Sequence, residues 1–175
     1  MLQEGAVGRR TARGFGSALS AAGLLFAATA VAGPHPDPDR VSARDLAAPA
    51  IRVAFEKLER RGCRELLEDF RDAAGRRLAE NLESTGMTPG EFLATLAFRD
   101  GRAVPRCASG RVAAGANFGS RIVAICKGTF ARAQAEDRGH AANLLIHEML
   151  HALGLGEDPP TSEEITRQVA RRCGS

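Results

Sequence analysis

The chain has 175 residues, 44% hydrophobic and 26% charged, with a formal net charge of +3 and neither Trp nor Tyr. That length fits a single domain with a modest core. No basic tract interleaved with aromatics occurs, which argues against a nucleic-acid-binding surface.

Arg9, Arg10 and Arg13 precede an apolar, small-residue run from Ser17 to Ala32 that ends Ala30, Val31, Ala32. A positive stretch, an apolar stretch and an A-x-A site predict a signal peptide over residues 1–32, cleaved after Ala32, and a secreted or periplasmic protein. The run is too short and too rich in Ala, Gly and Ser for a membrane anchor. Arg9 and Arg10 permit a twin-arginine route, although the residues after them match that signal poorly. This segment holds three Arg and one Glu, so its removal takes the net charge from +3 to +1. No stable membrane span is expected after cleavage.

Residues 33–42 are Pro-rich and read as an extended leader, with His35 as an exposed tail residue. The folded domain is expected over 43–175. Leu46, Ala50, Val53, Ala54 and Leu58 recur near the helical period and predict an amphipathic helix from Ala43 to about Arg60. A second helical stretch runs from Gly62 through Leu66, Leu67, Phe70, Leu78 and Leu82, with Gly75 as an interruption and Gly86 as its end. Thr88, Pro89, Gly90 and Glu91 form a cap, a first-position Pro and a capping-box Glu, opening a helix that carries Phe92, Leu93 and Leu96.

After Asp100 and Gly101 the segments shorten. Ala103 to Cys107 and Arg111 to Ala116 lie between Gly, Pro and Ser, and RIVAICK, Arg121 to Lys127, is the clearest strand. Phe130 then leads into a polar, Arg-rich turn. Asp137 to His140 begin a mostly apolar helix carrying Leu144, Leu145, Met149 and Leu150.

That helix contains His147, Glu148 and His151. Residues four apart share a helix face, so both imidazoles can converge on one metal ion while Glu148 projects beside them. Zn²⁺ held by two imidazoles and one more protein ligand keeps a position for water, whose pKa falls toward ~7. A neighbouring carboxylate can take that water's proton and later deliver it to a leaving amine. Glu148 is the residue inside the motif able to do so. His140, two turns earlier, is too far away for the same ion, and Asn143 reads either as a helper that orients the His147 ring or as a plain surface residue.

The third ligand stays open between several carboxylates. Glu157 follows His151 in the pattern H-x-x-G-x-x-E, with Gly154 allowing a sharp turn; Asp158 is its neighbour. Glu163 and Glu164 lie further on, but Thr161 with Glu164 also makes a capping box after Pro159 and Pro160. Glu157 is the preferred ligand.

H-E-x-x-H is the arrangement of zinc peptidases. H-E-x-x-H-x-x-G-x-x-E resembles the metzincin pattern, with Glu157 where the third His stands; a downstream Glu163 or Glu164 would instead resemble gluzincins. The block HEMLHALGLGEDPPTSEEIT is similar to one in small exported bacterial proteins grouped as zincin-like metallopeptidases. No Met follows Glu157, so the metzincin Met-turn is absent, and without Tyr no tyrosine can assist. The resemblance implies an α+β zincin-like fold, mostly helical, whose small sheet precedes the metal helix. It implies an edge strand, RIVAICK or the segment near Val112, pairing with an extended peptide or protein substrate.

Cys63, Cys107, Cys126 and Cys173 form no C-x-x-C pair, which argues against a zinc ribbon and for two disulfides in an oxidising compartment. Three connectivities are possible. The preferred one joins Cys126 to Cys173, across the metal helix, leaving Cys63 with Cys107. The sequence thus predicts an exported zinc metallopeptidase. The competing reading is a disulfide-stapled binding or scaffold protein with a structural metal or none.

Overall fold

The computed structural model describes residues 40–174. The expected signal peptide, its cleavage point and most of the leader, including His35, lie outside the described residues. Ser42 opens α1 (Ala43–Leu58) by accepting the Asp45 N–H at 3.1 Å, and the stripe Leu46, Ala47, Ala50, Ala54, Leu58 is buried as its spacing requires.

The expected second helix is two, α2 (Arg61–Asp69) and α3 (Leu78–Glu83). Between them the Asp72 carboxylate accepts the backbone N–H groups of Ala74 and Arg76, and Gly75 takes φ +80°. A local side-chain turn here outcompetes helix continuation. α4 (Pro89–Ala94) begins with the expected Thr88–Glu91 capping box. It stops before Leu96, which is still buried.

A strand the sequence did not announce follows, β1 (Ala97–Asp100), then a single turn, α5 (Pro105–Ala108), and two more strands, β2 (Ala114–Ala116) and β3 (Ile122–Ile125). The sheet order is β1-β3-β2: β1 runs parallel to β3 with Phe98 opposite Val123, and β2 runs antiparallel with Gly115 opposite Ala124. Of RIVAICK, Ile122–Ile125 is strand and Lys127 already belongs to the next helix; that strand is the centre of the sheet and not an edge, because β1 occupies its other side. The segment after Val112 supplies the edge.

The Arg-rich turn expected after Phe130 is a helix, α6 (Lys127–Glu136). Phe130 is fully buried, while Arg132 and Glu136 are exposed. The last elements are α7 (Arg138–Ala152) and α8 (Ser162–Cys173). α7 is central: it packs on α1, α6, α8 and β2, and every residue from Leu145 to Ala152 is buried. The protein is α+β. No helix among the described residues is long and apolar enough to cross a membrane.

The disulfides join Cys63 to Cys173 and Cys107 to Cys126, not the expected partners. α2 lies against α8, which brings Cys63 to the end of the last helix. Gly101 at the end of β1 donates to the Ile125 carbonyl at 2.9 Å, which puts the following turn beside the end of β3 and Cys107 beside Cys126. A Cβ on Gly101 would lie 2.5 Å from the Cys107 sulfur, so this bridge needs glycine there. Two disulfides fit an oxidising compartment.

Lys57 is 2% exposed and anchors three parts of the chain. Its ammonium donates to the Gly139 carbonyl at 3.0 Å, to Asn143 Oδ1 at 2.9 Å and to the Gly174 carbonyl. Burial lowers its pKa, helped by Arg60 and opposed by Asp137.

Candidate metal centre

Three local devices hold the two histidines of α7. Asp137 starts the helix by accepting the Gly139 N–H at 2.7 Å. At the other end Gly154 N–H bonds the His151 carbonyl at 2.9 Å and Leu155 N–H bonds the Leu150 carbonyl at 3.0 Å. With Gly154 at φ +108° this is a Schellman termination. Because the chain reverses there, the Leu155 carbonyl comes back to His151 and accepts from its Nδ1 at 2.7 Å.

The third device is Thr166 on α8. Its hydroxyl donates to the Ser162 carbonyl at 2.9 Å, which leaves the oxygen to accept from His147 Nδ1 at 3.1 Å. With Nδ1 of each ring as the donor in these bonds, both Nε2 atoms present lone pairs. Those two Nε2 atoms stand 3.0 Å apart, each on a side chain only 4–5% exposed. Facing lone pairs repel unless a cation lies between them.

Glu157 brings negative charge to the same point. Its Oε1 is 3.2 Å from His151 Nε2 and 3.8 Å from His147 Nε2. His147, His151 and Glu157 offer ligand atoms all within 4.8 Å of one another. A divalent ion bonded at about 2.0–2.1 Å to two imidazoles spans roughly 3 Å between them, so the nitrogen pair fits such an ion. The donor set of two nitrogens and one carboxylate oxygen suits a first-row divalent metal.

Glu148, next to His147 on the helix, is 6% exposed, and its Oε2 finds no hydrogen-bond partner among the described residues. Burial pushes its carboxyl up to about 8; a hydrogen bond from the Ala116 backbone opposes this, Glu157 adds to it and Arg106 subtracts. Burial and the neighbouring His151 lower His147 to about 4, so its imidazole is neutral at pH 7 and free to ligate.

The other candidates lie elsewhere. Glu164 closes the capping box of α8, with Oε2 2.8 Å from the Thr161 N–H, and Glu163 pairs with Arg167 at 2.8 Å. Asp158 is exposed and outside the cluster, and His140 is exposed. Asn143 neither orients the His147 ring nor lies at the surface: it is buried, accepting from Lys57 and donating to the Gly174 carbonyl at 3.0 Å. Thr166, the Leu155 carbonyl and the Ala116 N–H carry no sequence signature, since each depends on a neighbour brought in by the fold.

No family model, no curated protein and no solved structure matches this chain. Among the described residues, His147, His151 and Glu157 form a group able to hold a metal ion.

Proposed function

We propose that the chain is an exported, zinc-dependent metallopeptidase of zincin-like fold. His147, His151 and Glu157 are its zinc ligands, and Glu148 is its general base and acid. One observation carries the reading: the Nε2 atoms of His147 and His151 meet 3.0 Å apart, with Glu157 beside them, on a helix that also carries the buried carboxylate of Glu148 with its unpartnered oxygen. When bound, zinc supplies Lewis acidity and a bound water acidified toward pH ~7. The residues of the chain do the rest.

Thr166 and the Leu155 carbonyl keep both rings in the ligating tautomer. The carboxylate form of Glu148, favoured by a cation held beside it, takes the proton of the attacking water at its open oxygen and returns it to the leaving amine. β2, the antiparallel edge of the sheet, lies against α7 and offers its backbone to an extended substrate.

The test is elemental analysis of the purified chain together with mass spectrometry of a mixed peptide digest. One zinc per chain is expected in wild type, Glu148→Gln and Glu164→Ala, and loss in Glu157→Ala. Peptide hydrolysis should fall by about 10²-fold or more in Glu148→Gln. A folded wild type without zinc, or undiminished hydrolysis in Glu148→Gln, would overturn the reading.

A further inference from the structure

The space around the two histidines continues on both sides, and the β2 segment lines each part. On the His151 side a cavity of about 310 Å³ is bounded by His151, Glu157, Ala116, Phe118 and Arg106. On the His147 side another, of about 280 Å³, is bounded by His147, Glu148, Ala114, Thr166 and Arg111. Each side thus carries one arginine. Both are exposed, and neither guanidinium makes a hydrogen bond or ion pair among the described residues. Arg106 is near enough for its charge to be felt at Glu148.

This local excess belongs to a wider asymmetry. Residues 99–138 hold eight Arg or Lys against three Asp or Glu, whereas the rest of the chain from residue 33 is net negative by four. The acidic groups that border the cleft are committed elsewhere. Glu163 pairs with Arg167, Glu164 caps α8 and Asp137 caps α7. Glu157 meets the histidine pair, where a divalent cation would offset its charge, and Glu148 is buried next to His147. The unspent charges along the strand edge are the two guanidinium groups, one at each end.

Resting on the peptidase reading above, we infer that the cleft selects acidic peptides: a segment laid along β2 places one carboxylate against Arg106 and another against Arg111. Guanidinium binds carboxylate through paired, charge-assisted hydrogen bonds, and a focused positive field draws anionic ligands in. A basic peptide meets two like charges at the same positions.

The test uses three fluorescein-labelled decapeptides of one backbone, with Glu, Gln or Lys at the positions flanking the central bond. Binding to Glu148→Gln protein is read by anisotropy, and hydrolysis by wild type is read separately. The Glu peptide should bind about tenfold tighter than the Gln peptide, with the Lys peptide weakest, and the preference should shrink with added salt. Arg106→Gln or Arg111→Gln should each cut the preference to about threefold. The double change to Glu should reverse it; both positions are exposed, so the fold should persist. Equal binding of the three peptides, or a preference untouched by the double variant, overturns the inference. Equal cleavage of the Glu and Gln peptides keeps a peptidase and removes the selectivity. Preferential binding of the Glu peptide without cleavage of any keeps the acidic-peptide cleft and removes the peptidase.

Discussion

The side-chain amide of Asn81, on α3, donates to the carbonyl of Leu153 at 2.9 Å, joining residues 72 positions apart at the end of the helix that carries His147 and His151. The same nitrogen donates to Asp72 Oδ2 at 3.0 Å, and Asp72 is held in turn by Arg76. The loop before α3 thereby braces the turn that swings Glu157 toward the two Nε2 atoms. Asn81→Ala should weaken metal binding about tenfold, read by competition with a chelating dye, while the far-UV circular dichroism stays unchanged.

Thr166 makes a sharper case, because its hydroxyl is the hydrogen-bond partner of His147 Nδ1 at 3.1 Å and favours the tautomer that leaves Nε2 to the metal. Thr166→Val keeps the shape and removes the acceptor, so metal affinity should drop by about 10- to 100-fold. Thr166→Ser should restore most of it. Equal affinity in all three proteins would show that the tautomer is fixed by something else.

Asp72 also sets an acid limit. Asn81, then backbone and side-chain bonds from Arg76 and the Ala74 N–H, hold its pKa down at about 2 against an ordinary 3.8, outweighing desolvation. A carboxylate depressed in the folded state contributes stability above the unfolded pKa and loses it as pH falls through the folded one. Urea midpoints should therefore decline between about pH 4 and pH 2. Asp72→Asn should flatten that part of the curve.

The two disulfides should differ in weight. Cys63 and Cys173 are 110 residues apart, Cys107 and Cys126 only 19. Loop-closure entropy assigns about 4.8 kcal/mol to the long bridge and about 3.2 to the short one. Paired Cys→Ser variants compared by urea unfolding should lose stability in that order.

The parts of the molecule that were legible in the sequence are those whose cause is local. His147, Glu148 and His151 show themselves because four-residue spacing is a helix face, and Gly154 marks a reversal because few residues but glycine hold a positive φ at a helix end. The capping boxes at Thr88 and Thr161 read the same way. β1 was hidden because four residues with one buried Phe carry no alternation long enough to count. α6 was hidden because nine of its ten residues are not fully buried, and its Arg and Gln side chains looked like loop. Disulfide partners depend on which helices pack, and Arg106 and Arg111 acquire meaning only once β2 lies against α7.

The contacts that gather around Lys57 and Cys63 constrain how this chain can acquire its shape. Lys57 finds its acceptors at Gly139, Asn143 and Gly174, and Cys63 its sulfur partner at Cys173. The first two helices have no complete set of neighbours until α8 has been synthesised. These contacts close only once the C-terminal helix is in place, and until then a half-made chain exposes the α1 stripe of Leu46, Ala50, Ala54 and Leu58.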